Sequence, residues 1–181
     1  MSRIDPLEPP FSEDVQASFD LVMRGAPPLM LFRTIATSER AWRKFRGGSL
    51  LDRGQLSLRN RELVIDRTCA LAGCEYEWGV HVSAFATAAR LTSEEIAWTA
   101  QAGAAGSGWS DAERALLLAV EALHARATLN GQEFAALAAH FDGDQILEIL
   151  MLSGFYRMVS YVANGLDLAL EEGVARFPIA R

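Results

Sequence analysis

The sequence predicts an all-α protein. Alternating strand patterns are missing, and apolar residues recur instead at helical spacing, as at Leu116, Val120 and Leu123. Gly, Pro, Ser and Asp punctuate these runs where helices would start and stop. With 181 residues, half of them apolar, the chain is long enough for one domain over residues 1–181 with a sizeable core and about eight helices.

Residues 1–11 form a Pro-rich extended arm, and Ser12 then caps a helix running to about Arg24. Pro27 and Pro28 open a short apolar helix, PLMLFRTIA. Ser38 begins another, stopped by Gly47 and Gly48. A helix follows from about Ser57 to Ala72, and a second from Cys74 to Arg90, with Gly73 as the single joint of an αα-hairpin. Thr92 to Glu95 starts the next, which ends in the Gly-rich AGAAGSG loop. Ser110 caps SDAERALLLAVEALHARA, Gln132 to Phe141 is short, and Asp142 to about Leu168 is long. This last helix is apolar on nearly every face, so it must be buried by its own domain and by a second subunit.

Charge and termini narrow the function. The net charge of −6 and the lack of a basic stripe argue against nucleic acid. The cluster Arg40, Arg43, Lys44 and Arg46 reads as a solvated helix face. The N-terminus lacks the order of a secretory signal, and no run of about 18 uncharged apolar residues predicts a membrane span. Cys69 and Cys74 are too few for a disulfide framework, and their side chains diverge around a helix end. The expectation is a cytoplasmic protein. No GxGxxG, GxxxxGK[ST] or GxSxG motif offers a cofactor seat or a nucleophile elbow.

The chemistry points to CEYEWGVH, residues 74–81. At about 100° per residue, Leu58, Ile65, Cys69 and Ala72 share one arc, and Glu62 falls inside it. A lone carboxylate on an apolar stripe must find a partner or keep its proton. On the following helix Cys74, Glu77, His81, Phe85 and Ala88 share an arc. Glu62 can then meet Glu77 and His81 across the hairpin. Each has a plainer reading. Glu62 can pair with Arg59 or Arg61, Glu77 can cap the helix started by Cys74, His81 can be a satisfied core histidine, and Cys74 an inert hydrophobe. His124 and His140 read as structural. One histidine without an HExxH or paired ExxH pattern does not support a metal.

The block RNRELVIDRTCALAGCEYEWGVHVSAFATAARLTSEEI, within Leu58 to Ile96, resembles the carboxymuconolactone decarboxylase-like and alkylhydroperoxidase D-like superfamily. The resemblance implies an AhpD-like helical bundle, no cofactor, a small-molecule substrate, and assembly into homo-oligomers, trimers or hexamers in particular, or a dimer. In the alkylhydroperoxidase branch a glutamate precedes a CxxC by eleven residues, and a histidine follows after three more. Glu62, Cys74 and His81 match, but Glu77 replaces the second cysteine. Glutamate cannot resolve a sulfenic acid, so dithiol turnover is not expected. The decarboxylase branch needs proton delivery to carbon, which a histidine held near neutrality by flanking carboxylates would supply. Arg59, Arg61 and Tyr76 are the expected substrate contacts. Three functions are open: a cofactor-free acid–base enzyme using His81, Glu62 and Glu77; a peroxidase using Cys74 alone; and a non-catalytic oligomer that binds a small molecule.

Overall fold

The computed structural model describes residues 2–101 and 108–178. Among them lie nine helices and no strand: α1 Glu13–Met23, α2 Met30–Ile35, α3 Glu39–Arg46, α4 Leu58–Leu71, α5 Glu75–Phe85, α6 Ser93–Ala100, α7 Asp111–Arg126, α8 Gly131–Ala138 and α9 Gly143–Gly165. The AGAAGSG stretch falls largely on residues 102–107, outside the described residues.

Local chemistry sets most boundaries. Ser38 and Ser57 accept hydrogen bonds from Ala41 and Asn60 N–H. Reciprocal capping boxes open α6 (Thr92 with Glu95), α7 (Ser110 with Glu113), α8 (Asn130 with Glu133) and α9 (Asp142 with Gln145). Several boundaries shift: α2 starts at Met30 rather than at the prolines, and α9 ends at Gly165 rather than near Leu168. The short helix starts after Asn130 rather than at Gln132, and α5 stops at Phe85 rather than Arg90. Residues 86–90 form turns, closed by a bond from Leu91 N–H to Ala86 C=O and by the left-handed Arg90 at φ 56°.

α4 is the hub, packing on α5, α6, α7 and α9. It is therefore buried without interruption from Glu62 to Cys69, polar residues included. Arg67 is accordingly buried, bonded to Glu121 and to the carbonyls of Thr99 and Gln101. Gly73 joins α4 to α5 at φ +63°, a left-handed conformation that glycine adopts without steric cost. α9 is long and apolar enough to cross a membrane by length and composition. Ile146, Ile149, Leu152, Tyr156 and Val159 are nevertheless buried inside the bundle, as in a core helix. Leu147, Met151 and Tyr161 on its other face are exposed.

After α9 the chain returns across α5. Ala175 N–H donates to Ser83, the Phe177 ring meets Trp78 at a tilt, and Arg176 pairs with Glu75. Gly79 allows this approach, because a Cβ there would strike the Ala175 carbonyl. The returning strap brings Val174 to the edge of a cavity lined by α1–α3, α5 and the middle of α9.

Candidate active site

The hairpin brings the expected constellation together. Nδ1 of His81 on α5 lies 2.8 Å from Oε2 of Glu62 on α4, and Nε2 lies 3.5 Å from Oε1 of Glu77 one turn earlier. The other oxygen of Glu62 accepts from Arg61, at 2.8 Å from Nη2 and 2.9 Å from Nε. One buried carboxylate thus holds two cations. Glu62, Glu77 and His81 are all almost fully buried. Tyr156 of α9 meets the imidazole edge to face at 4.9 Å, and Phe85 lies 5.3 Å away.

Glu77 is not the capping residue its position suggested. It closes no capping box on Cys74, whose N–H donates instead to Cys69 C=O. Its free oxygen, Oε2, is buried with no hydrogen-bond partner. His81 and Glu77 both line the cavity, which measures about 480 Å³ and is walled mainly by aromatic and aliphatic side chains.

Burial alone would pull the His81 pKa down. The hydrogen bonds and negative charge of Glu62 and Glu77 outweigh it and push the pKa up to about 10. The imidazole is therefore not poised near neutrality, as the sequence suggested. It carries its proton at neutral pH and acts first as a donor.

A stability prediction follows. A histidine pKa raised on folding stabilises fully below its unfolded value of 6.5, and that stabilisation is lost as pH rises through about 10. Tm should decline between these limits, and His81→Gln should remove much of that slope. Thermal melts flat across this window in the wild type would contradict the charged assignment.

Asp66 escaped the sequence reading. It lies one turn beyond Glu62, on the same side of α4, and both its oxygens are buried with no partner. Burial holds its carboxyl well above the usual range; the His81 charge pulls down and that of Glu62 pushes up. The i, i+4 spacing to Glu62 was the available signal. Arg46 was missed too. Expected on a solvated face, it lines the cavity.

Other expected contacts lie elsewhere. Arg59 is held by Glu95, Glu113 and the Arg90 carbonyl, and it does not line the cavity. Arg61 is engaged by Glu62 and the Leu51 carbonyl, over the ring of Phe85. The Tyr76 hydroxyl accepts from Leu31 N–H and donates to Glu171, also away from the cavity lining. Cys74 is fully buried and absent from that lining, and burial pushes its thiol pKa up. Cys69 and Cys74 are free thiols. His124 accepts from Arg157, and His140 is exposed just beyond α8. Among the described residues no group of three or more His, Cys, Asp or Glu is arranged to hold a metal ion.

Comparison with known proteins agrees with this architecture. The model of the carboxymuconolactone decarboxylase family matches residues 36–122. No curated protein matches the chain significantly. An uncharacterized peroxidase-related protein from Silicibacter sp. TM1040 is similar at TM-score 0.81 and 17% identity, over 94% of this chain and 92% of its own. An uncharacterized peroxidase-related protein with an alkylhydroperoxidase AhpD core, from Ralstonia eutropha JMP134, is similar at TM-score 0.81 and 20% identity, over 94% and 93%. The debrominase Bmp8, in a cysteine-to-alanine variant complexed with 2,3,4-tribromopyrrole, is similar at TM-score 0.73 and 18% identity, over 95% and 93%. At these identities the likeness speaks for the fold. The carboxymuconolactone decarboxylase family match spans the whole α4–α5 hairpin, and the bundle has the AhpD-like helical fold.

Proposed function

We propose that this protein is a cofactor-free acid–base enzyme, a decarboxylase or lactone-processing enzyme acting on a small unsaturated substrate. One observation carries the reading. A histidine charged by two buried carboxylates lies on the wall of a sheltered cavity. In a decarboxylation the C–C bond to the carboxylate breaks, CO2 leaves, and the electron pair moves into a conjugated carbonyl. The resulting enolate takes a proton at carbon from His81, and water returns a proton to the imidazole. Glu62 keeps the ring charged and oriented, while Glu77 tunes it from the other nitrogen. The exposed Leu147, Met151 and Tyr161 support assembly with further copies of the chain.

The test is a panel of unsaturated carboxylated lactones and β-keto acids in D2O, followed by NMR for loss of CO2 and deuterium uptake at carbon. Turnover of at least one member is expected. A panel that remains untouched by the wild type while Glu62 and His81 variants lose only stability would favour a binding-only oligomer.

The thiol reading draws on the peroxidase-related neighbours and on the Bmp8 cysteine variant. Against it stands a buried Cys74 whose thiol is held protonated. Cys74→Ser should leave turnover on the panel unchanged, and hydroperoxide should persist in the presence of small thiols with either protein. Thiol-dependent consumption abolished by Cys74→Ser would establish the peroxidase instead.

A further inference from the structure

The cavity beside His81 contains two polar groups that the protein leaves unanswered. The first is Arg46 at the end of α3. Its Nε is buried without a hydrogen-bond partner, and its guanidinium makes no ion pair among the described residues. Its one contact of note is the face of Trp42, with the guanidinium carbon 5.5 Å from the ring centre. The second is Oε2 of Glu77, buried and unpaired while Oε1 faces His81. Both residues line the same cavity.

A buried donor and a buried acceptor without partners are each costly. The cost disappears if one ligand supplies an acceptor to Arg46 and a donor to Glu77. The remaining walls say what lies between these two ends. Phe32, Trp42, Phe45, Phe85, Phe155 and Tyr156 surround the space, and a volume of about 480 Å³ suits a single substituted ring. Aromatic walls favour a flat π-face over a puckered aliphatic ring. The charge balance favours a monoanion. A dianion such as phosphate would meet one arginine while facing the negative side chain of Glu77.

We propose that the cavity takes a small planar aromatic acid, with its carboxylate paired to Arg46 and a ring hydroxyl or ring N–H donated to Glu77. This deepens the reading above and rests on its claim that the cavity is where substrate binds. Arg46 thereby takes the anchoring role that the sequence had suggested for Arg59 or Arg61.

The experiment is calorimetric titration of the full-length protein near neutral pH with 4-hydroxybenzoate, its methyl ester, benzoate and cyclohexanecarboxylate. The hydroxy acid should saturate one site per chain, with the ester about ten- to hundredfold weaker, the usual range for losing a charge-assisted contact. Benzoate should be weaker for want of a donor, and cyclohexanecarboxylate weakest. Arg46→Gln should reduce the acid to the affinity of the ester and leave the ester unchanged, while Arg46→Lys should retain part of the preference. Equal binding of acid and ester, indifference to Arg46→Gln in a protein that melts normally, or no saturable binding of any probe would each overturn the proposal. Binding is measured apart from turnover, so the two readings can fail separately. Arg46-dependent acid binding to a protein without turnover would remove the acid–base enzyme and keep the ligand class. Turnover of a neutral substrate that ignores Arg46 would do the reverse.

Discussion

Replacing His81 by asparagine is expected to lower turnover by roughly 10²- to 10⁴-fold, the usual contribution of a positioned proton donor. Asparagine can still hydrogen-bond to Glu62, but it has no proton to transfer. The readout is deuterium uptake at the substrate carbon, with thermal melting to verify the fold. Glu62→Gln should act differently. It removes the anion at Nδ1 and so lowers the His81 pKa from about 10. Turnover should then fall off at lower pH than in the wild type, with partial activity retained under acidic conditions. A His81→Asn protein with wild-type rates at every pH would end the assignment.

Glu62→Ala should destabilise the fold by about 3–5 kcal/mol, the range for removing one partner of a buried ion pair. The magnitude follows from position. Glu62 lies on the central helix, is 1% exposed, and balances both Arg61 and His81. Its loss leaves a protonated imidazole in the core with only the more distant Glu77 for compensation. Adding His81→Leu to Glu62→Ala should recover part of the loss by removing the stranded charge. Chemical denaturation measures both. A single-variant cost below about 1 kcal/mol would mean that the pair is solvated like a surface bridge.

Helical periodicity made much of this centre legible. Glu62 stood out as a carboxylate on an apolar arc, and Glu77 and His81 shared a face four residues apart, so a hairpin closed by Gly73 had to bring them together. Start signals were equally legible where a side chain caps its own helix, as at Ser57, Thr92, Ser110 and Asp142. The end of α5 was not. No breaker lies between Phe85 and Arg90, and the turn there is closed by backbone bonds as Ala86, Ala89 and Leu91 are buried.

Asp66 and Arg46 were missed for a related reason. Each looked ordinary in its local pattern: an acid among arginines, and a base in a basic cluster. Whether such a group is solvated depends on what packs over it. α4 happens to be covered on all sides by α5, α6, α7 and α9, and α3 turns Arg46 into a cavity wall beside Trp42.

The amino-acid order alone determined the helical class, most helix starts and the meeting of Glu62 and Glu77 at His81, because these depend on capping chemistry and a 3.6-residue repeat that act within a few turns. Only the tertiary structure decided that His81 is charged, that Cys74 is sealed away, that Arg59 is spent on Glu95 and Glu113, and that Arg46 faces the cavity. Those properties depend on desolvation and on partners tens of residues distant in the chain, which no local pattern encodes.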